Sequence, residues 1–417
     1  MTTISATAYA GPAMPPDQSI GMATILGHLF HRLDLTPRWD DLQARIAANP
    51  ADAVALHDAS QILQGLGKSE EARAVLDAAL RLRRDYRVEH GTGRGLRILA
   101  LVTAGDFMAN TPIDFLLSGS DAVLLLHYVD AATVDLADVP VHDVAIVAVA
   151  ESEANVPVLR RLQLLLAGWP HPVLNRRADR IAQLTRDGVA ALFAGHPTIL
   201  SPSTWRLTRP ELEALASGVK TLADLIDGAS FPLIIRPIGT HAGGGLDRLT
   251  GVADLGPYLA EQTAGAFYLS PFIDYSGADG RFTKLRIVQI DGRPFASHLA
   301  VSDHWIVHYL SAGMAEDAAK RAIEAEWMAT FDTDFAVRHA ASFAALHATV
   351  GLDYFGYDCA ELADGRLLLF ELDIAMVVHD MDSVDLYPYK KPAMRKLFDA
   401  FLAMLAAKAR AAPLPQI

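Results

Sequence analysis

Cysteine is almost missing from this sequence: 417 residues contain one, Cys359. A single thiol excludes a disulfide framework and a cysteine-rich zinc module, and it is typical of a reducing compartment, so we expect a cytoplasmic protein. Basic residues are also outnumbered, with 36 Lys and Arg against 49 Asp and Glu and a formal net charge of −13. This balance disfavours nucleic acid or an anionic membrane as the main partner.

A basic leader and long apolar runs are absent as well. Residues 1–18 carry no Lys or Arg ahead of an apolar core, so we expect no secretory signal. Apolar runs such as 122–126 have the length of a strand, well short of a membrane span. Apolar residues nevertheless make up 51% of the chain, enough to build real hydrophobic cores.

The hydrophobic pattern divides the chain into three regions. Apolar residues recur at helical spacing in the first, which predicts a helical accessory domain over 1–90, and residues 53–84 resemble a tetratricopeptide-type helical pair. Short apolar runs separated by turn residues then predict buried parallel strands, hence a small α/β domain over 95–175. Strands and helices alternate again over 176–410. The predicted fold class is therefore α/β with an N-terminal α-helical domain.

Six strands are predicted in the third region, and two of their turns carry the Asp-Gly dipeptide typical of hairpins. These turns are Asp291-Gly292 and Asp364-Gly365. The predicted strands cover residues 231–236, 266–272, 283–290, 293–300, 356–362 and 366–372.

Several familiar motifs fail on inspection. Gly67-Lys68-Ser69 lacks the first glycine of a phosphate loop, and no Gly-x-Ser-x-Gly elbow for serine hydrolysis occurs in the chain. His304 and His308 are spaced like zinc ligands on one helix face, but Trp305 stands where a zinc protease needs Glu. We therefore favour packed histidines or a polar active-site loop over a zinc site.

A buried strand over 231–236 delivers Arg236 into a glycine-rich loop that contains Gly243, Gly244 and Gly245. Glycines let backbone N–H groups approach phosphate oxygens, and an arginine supplies compensating charge. The alternative is a strand-end turn with a surface arginine.

The segment 268–274 ends an apolar strand and is followed by Arg281, Lys284 and Arg286. Such a strand end can sandwich a purine while an acid just beyond it, Asp274, binds ribose hydroxyls. An ordinary buried strand with a solvated charged face is the alternative.

Three carboxylates are expected to converge at the Asp364-Gly365 hairpin. Glu371 and Asp373 are two residues apart and share a strand face, and the hairpin brings Asp358 beside them. Buried carboxylates are costly unless they are paired or bound to metal, and magnesium prefers oxygen ligands. The alternative is a salt-bridged acidic hairpin.

With these motifs the chain resembles the ATP-grasp superfamily, in particular the carboxylate–amine ligases that include D-alanine–D-alanine ligases and ribosomal-protein glutamate ligases. The resemblance covers about residues 95–405 and is most specific at Asp358, Glu371 and Asp373. It implies an ATP-grasp fold, with a small pre-grasp α/β domain over 95–175 and two α+β lobes forming the catalytic domain over 176–410. Asp373 departs from the family, which usually carries Asn at that position.

The resemblance also implies roles for individual residues. Gly356 stands where the family often has an arginine, so other groups must stabilise the transition state. The implied phosphate-binding residues are Arg186 and Arg236 with Gly243, Gly244 and Gly245; the adenine and ribose residues are Phe272, Ile273 and Asp274; the magnesium ligands are Asp358, Glu371 and Asp373; the catalytic residues are Arg286, His298, Ser302 and His304.

The function implied is ATP- and Mg²⁺-dependent joining of a carboxylate to an amine through an acyl phosphate, giving an amide or peptide bond. The substrates would be small molecules or peptides, and a protein or carrier partner on the N-terminal helices and a homo-oligomer are left open. Two alternatives remain: a small-molecule kinase on the same fold, and a helical-repeat adaptor with an ATP-sensing domain. The loop 299–314 is expected either to close over the acceptor substrate, with His304 or His308 taking the amine proton, or to be a helix packing its aromatic residues.

Overall fold

The computed structural model describes residue 15, residues 17–240 and residues 243–411. Its N-terminal region is helical, and α3 and α4 form the predicted pair with Asp52 capping the first turn of α3 through the Ala55 N–H (2.9 Å). The likeness of this pair to a tetratricopeptide repeat stays a prediction. The helices are α1 (Met22–Phe30), α2 (Thr36–Ala48), α3 (Ala53–Gly65) and α4 (Ser69–Leu82).

The first sheet has the strand order β1-β3-β2-β4-β5. The predicted parallel strands are confirmed, whereas β1 pairs antiparallel with β3 at the edge, within a stretch that the helical pattern had covered. The strands are β1 (Asp85–Glu89), β2 (Arg97–Val102), β3 (Val123–Tyr128), β4 (Val144–Val147) and β5 (Val173–Leu174). The helices of this part are α5 (Ile113–Leu116), α6 (Val156–Leu166), α7 (Ala178–Ile181) and α8 (Arg186–Leu192), with a 3₁₀ turn at Phe107–Ala109.

The second sheet is antiparallel, with the order β7-β10-β8-β9, and three helices accompany it. A short strand, β6 (Ile199–Leu200), precedes it and belongs to the third sheet. The strands are β7 (Trp205–Thr208), β8 (Leu233–Pro237), β9 (Asp247–Leu249) and β10 (Ala266–Pro271). The helices are α9 (Arg209–Ala216), α10 (Leu222–Leu225) and α11 (Leu255–Glu261), with a 3₁₀ turn at Val252–Asp254.

The third sheet has the order β12-β11-β13-β14-β6, antiparallel except where β6 joins β14. Both predicted hairpins are present, and Asp291 and Gly292 have left-handed φ values of 49° and 74°, as a tight hairpin requires. The strands are β11 (Phe282–Ile290), β12 (Arg293–Ser302), β13 (Tyr354–Glu361) and β14 (Leu367–Asp373). The helices are α12 (Ala318–Thr330), α13 (Phe335–Arg338), α14 (Ala340–Val350) and α15 (Lys390–Arg410), with a 3₁₀ turn at Tyr309–Ser311.

Helix α15 joins the first and third sheets into one core. Its buried residues Leu397 and Phe401 lie in the same apolar cluster as Ile98 and Ile146 of the first sheet and Val288 of the third. The predicted α/β class is thus confirmed, with mixed sheets held together by helices. Within the part of the chain described, no helix is long and apolar enough to cross a bilayer.

Shortening Phe401 should therefore destabilise both sheets together. We expect Phe401→Ala to lower the free energy of unfolding by about 3–5 kcal/mol, because the ring is fully buried and its loss leaves a cavity. Urea denaturation followed by circular dichroism measures this change. Leu164→Ala, at an exposed side chain, is the control and should shift stability by less than about 0.5 kcal/mol. Equal effects of the two changes would contradict the bridging role of α15.

Candidate functional site

Four neighbouring strands of the third sheet place charged and polar residues in one row. Arg286 of β11 is paired with His298 of β12 on one side and with Asp358 of β13 on the other, and Asp358 is paired with Glu371 of β14. Register shifts follow Arg286 and Asp358, so bulges interrupt the ladders at the row itself. The row thus brings together four of the residues singled out from the sequence.

Asp358 is the most strongly compensated carboxylate of the row. It is 2% exposed and accepts from Lys284 Nζ at 2.9 Å, from Arg286 Nε at 2.7 Å and from Arg286 Nη2 at 3.1 Å. Burial opposes its ionisation, but the charges and hydrogen bonds of Arg286 and Lys284 prevail and hold its pKa well below the ordinary value. Both carboxylate oxygens are therefore already engaged by cations.

Glu371 is paired with a residue from another element. Arg186, the first residue of α8, donates from Nη2 to Glu371 Oε1 at 2.8 Å and from Nη1 to the Phe370 carbonyl at 2.8 Å. Thr185 caps the same helix by accepting from the Gly188 N–H at 3.0 Å, which holds Arg186 at the helix start. Burial disfavours the ionised form of Glu371, but the charges of Arg186, Arg236 and Arg286 together outweigh it and lower the pKa.

Asp373 is buried beside Glu371 without a comparable cation. Its Oδ1 accepts from the Ile374 N–H at 2.6 Å, and its partner across the ladder is Gly356, which offers no side chain. Burial and then the negative charge of Glu371 raise its pKa to about 7. Asp373 is thus a buried carboxylate that no cation of the described residues is shown to neutralise.

Glu371 and Asp373 together are suited to bind a cation. Glu371 and Asp373 lie on one face of β14 and repel each other. A bound cation that prefers oxygen ligands would relieve this electrostatic repulsion. Among the described residues, however, no group of three or more His, Cys, Asp or Glu is arranged as a metal site. The predicted three-acid magnesium site stays a prediction, with Asp358 engaged by Arg286 and Lys284.

Arg236 is a buried cation without an anionic hydrogen-bond partner. It is 8% exposed, its Nη2 donates to the carbonyl and to Oγ1 of Thr240, the latter at 3.3 Å, and its Nε has no partner among the described residues. Burial, and after it the nearby charge of Arg186, lowers its pKa to about 10. The alternative of a surface arginine is therefore wrong, because β8 points this side chain inward.

The glycine-rich loop follows Arg236 directly. Gly243 and Gly245 have φ values of 77° and 64°, in the left-handed region that glycine adopts without steric cost. Together with Gly244 they lead into β9, so the loop lies between the strand that carries Arg236 and the edge strand of the second sheet. The guanidinium groups of Arg236 and Arg186 act electrostatically on each other and on Glu371, so both cations lie near that acid.

The predicted adenine segment lies at the end of β10. Phe272 N–H donates to the Pro232 carbonyl at 3.1 Å, and the ring of Phe272 meets the ring of Trp305 edge-on with centroids 5.6 Å apart. The Arg248 guanidinium lies 4.7 Å from the centre of the Phe272 ring. Ile273 is half-buried, and exposed Asp274 accepts from the Ser276 N–H at 3.0 Å.

The segment after β12 was expected to be either a loop that closes over the acceptor substrate or a helix that packs its aromatic residues. Residues 303–306 form bends and residues 307–308 are irregular, so the aromatic-packing helix and the one-face zinc geometry of His304 and His308 are both wrong. Ser302 is buried at the end of β12 and its Oγ accepts from the N–H of exposed His304 at 3.1 Å. His308 is half-buried, and burial, then the charges of Lys284 and Arg286, lowers its pKa.

Beside His298 lies a buried lysine, Lys390, that was not predicted from the sequence. Lys390, the first residue of α15, lies 3.4 Å from His298 Nδ1 and pairs with Asp382 at 2.9 Å and Glu324 at 3.3 Å. Burial and the charge of Lys390 hold the pKa of His298 well below its ordinary value. No local pattern marks Lys390, because a lysine at a helix start is ordinarily solvated.

Glu151 was also missed. It follows β4 at the carboxyl end of the parallel sheet, and its charge acts on Asp373 of the third sheet. Burial raises its pKa to about 7 despite the nearby charge of Arg206. The position after a parallel strand is the signal that could have found it, since polar groups collect at that edge of α/β sheets.

No protein-family model matches the sequence, and no curated protein matches it. Solved structures of similar fold include D-alanine–D-alanine ligase from Bacillus anthracis complexed with ATP, at 13% identity and a TM-score of 0.45, over 77% of this chain and 100% of that chain. VanG D-Ala:D-Ser ligase from Enterococcus faecalis has 13% identity and a TM-score of 0.38, over 64% and 74% of the two chains. A RimK domain protein ATP-grasp from Sphaerobacter thermophilus has 14% identity and a TM-score of 0.40, over 74% and 99%. At these identities the likeness concerns the fold alone.

The raised pKa of Asp373 predicts a pH-dependent stability in the absence of divalent ions. The protonated carboxyl stabilises the fold fully below about pH 4, and this contribution is lost as the pH rises through about 7. Asp373→Asn keeps a neutral side chain at every pH. We therefore expect the variant to gain stability relative to the wild type between about pH 4 and 7, by on the order of 1–4 kcal/mol.

Chemical denaturation in EDTA at a series of pH values measures this difference. Asp227→Asn, at an exposed position, is the matched control and should follow the wild-type curve at every pH. Parallel curves for the wild type and Asp373→Asn would contradict the raised pKa.

Proposed function

We propose that this chain is an ATP-dependent carboxylate–amine ligase of the ATP-grasp type, active with Mg²⁺. The observation that carries the proposal is Arg236, a buried guanidinium with Arg186 beside it and, among the described residues, no carboxylate hydrogen-bonded to it. A buried charge is costly unless an opposite charge compensates it. The polyphosphate of ATP is an anion that would compensate both arginines.

ATP would lie between the second and third sheets in this proposal. Arg236, Arg186 and the backbone N–H groups of the glycine-rich loop would hold its phosphates. Phe272 and Ile273 at the end of β10 would contact the base, and Asp274 the ribose. The contact of Trp305 with Phe272 supports a role for the segment after β12 in covering the base.

Mg²⁺ would be held by Asp373, whose pKa is raised by burial and by a neighbouring acid, together with Glu371 on the same strand face, and it would offset the charge of phosphate oxygens. Asp358, which the resemblance implied to be a magnesium ligand, has a positioning role in this proposal. It anchors Lys284 and Arg286, and it aligns these cations along β11 by three hydrogen bonds of 2.7–3.1 Å. Arg286 also donates to the Val377 carbonyl at 3.1 Å, which fixes its plane.

The reaction proposed is transfer of the γ-phosphoryl group to a substrate carboxylate, followed by attack of an amine on the resulting acyl phosphate. ADP, inorganic phosphate and an amide are released, and a primary ammonium substrate gives up two protons while one N–H remains in the amide. Arg286 and Lys284 would stabilise charge on the transferred phosphoryl group, since fixed cations in a dry site act strongly. His308 is suited to accept the amine proton, because its lowered pKa leaves the imidazole neutral near pH 7.

Removing the buried cation should weaken ATP binding through its phosphates. We expect Arg236→Met to bind ATP roughly 10–150-fold more weakly, the value of a charged hydrogen bond, and to bind adenosine as the wild type does. Isothermal titration calorimetry measures both ligands. Arg281→Met is the control, because Arg281 is paired with Asp279 on the surface and should not affect ATP affinity. Unchanged ATP affinity in Arg236→Met would remove the main support for the proposal.

Turnover separates the ligase from its alternatives. The wild type is incubated with ATP, Mg²⁺ and mixtures of carboxylic acids, amino acids and small peptides, and phosphate release and product masses are followed. A ligase needs both an acid and an amine and yields an amide mass, whereas a kinase retains phosphate on its product and an adaptor only binds ATP. Glu371→Gln should reduce turnover at least a hundredfold, and Glu316→Gln, at an exposed acid, should not. Phosphate release without any new amide would contradict the ligase assignment.

A further inference from the structure

A cavity of about 100 Å³ lies between the N-terminal helices and one face of the first sheet. Its floor is formed by alternate residues of the two central strands, Ala100 and Val102 of β2 and Leu124 and Leu126 of β3. Gln61 and Gln64 of α3 line it from the helical side. None of the residues assigned above to phosphates, base, metal or catalysis lines it.

The cavity exists because a small residue occupies the middle of the sheet. Ala100 is fully buried and stands beside Leu126 in the parallel ladder, at a position where a larger side chain would fill the space. Apolar cavities of similar size, about 150 Å³, hold a molecule such as benzene. The space therefore suits a compact apolar body of four to six carbon atoms, on the order of that volume.

Two of the residues that line the cavity carry buried polar atoms without a hydrogen-bond partner in the described part of the chain. Gln61 Oε1 and Thr111 Oγ1 make no hydrogen bond among the described residues, and their side chains are 8% and 4% exposed. Each unsatisfied buried group costs about 1–3 kcal/mol, which a ligand hydrogen bond would recover. The wall next to them is rigid, because Asn110 exchanges two hydrogen bonds of 2.8 Å with the backbone of Thr103.

The charge of the wall selects among ligands. Asp106 and Asp114 contribute carboxylates, and no Lys, Arg or His occurs among the described residues that line the cavity. An anionic ligand would therefore meet two carboxylates with no cation among the described lining residues to offset their repulsion. A hydrogen-bond donor suits the unpartnered carbonyl of Gln61 and the hydroxyl of Thr111.

We propose that this cavity is a binding site for a small amine or primary amide with a compact apolar body. The donor group binds Gln61 Oε1 and Thr111 Oγ1, and the apolar body fills the space above Ala100. The helical region then has a defined task, since α3 supplies one wall of the site. This site stands independently of the proposed ligase function.

The test uses the full chain without ATP and three probes of similar size: isobutylamine, isobutyramide and isobutyrate. Ligand-observed NMR or calorimetry should detect the amine and the amide, with isobutyrate at least tenfold weaker. Thr111→Val removes an unpartnered hydroxyl, so it should fold as the wild type does and weaken the amine roughly three- to tenfold. Ala100→Leu fills the cavity and should abolish binding of all three probes.

Ser297→Ala is the matched control for Thr111→Val. Ser297 is another fully buried hydroxyl without a partner among the described residues, but it lies on β12 outside the cavity, so this change should leave probe binding unaltered. Absence of binding by all three probes would overturn the proposal. Equal binding of isobutyrate, or amine binding that withstands Thr111→Val, would also overturn it.

Discussion

Compensation of buried charge is the constraint on which the third sheet depends. Asp358 lies at its centre and is nearly inaccessible to water, so its charge is tolerable only because Lys284 and Arg286 donate to both of its oxygens. A single buried acid thereby determines the positions of two cations on the neighbouring strand. The bulges after Arg286 and Asp358 lie where these side chains must meet.

The compensation is incomplete at the junction of the second and third sheets. Glu371 pairs with Arg186, Arg236 is buried with no carboxylate hydrogen-bonded to it among the described residues, and Asp373 reaches a charged state only near pH 7. The protein thus holds one cation and one acid whose partners are not supplied by its own described residues. An anion beside Arg236 and a cation beside Asp373 are the two ligands that would complete the balance, and Mg²⁺ with a polyphosphate supplies both.

Most strands could be predicted from the sequence, because their apolar runs and Asp-Gly turns are local signals. The hairpin at Asp291-Gly292 and the sharing of a face by Glu371 and Asp373 follow from such signals alone. The segment after β12 could not be predicted in this way. Its aromatic residues fit a helix equally well, and Trp305 instead contacts Phe272, a residue distant in sequence. Lys390 escaped notice for the same reason, since its partners Glu324 and Asp382 meet it only in the folded chain.

The sequence by itself determined the α/β class, the positions of the longer strands and the residue types available for phosphate and metal binding. These features depend on hydrophobic period, turn chemistry and composition, which act over a few residues. Only the tertiary structure decided which charges are paired. It placed Arg186 against Glu371, buried Arg236 with no carboxylate hydrogen-bonded to it in the described part of the chain, and opened a cavity lined by Ala100. Burial and distance between remote segments set the cost of a charge, and neither quantity can be read from local sequence.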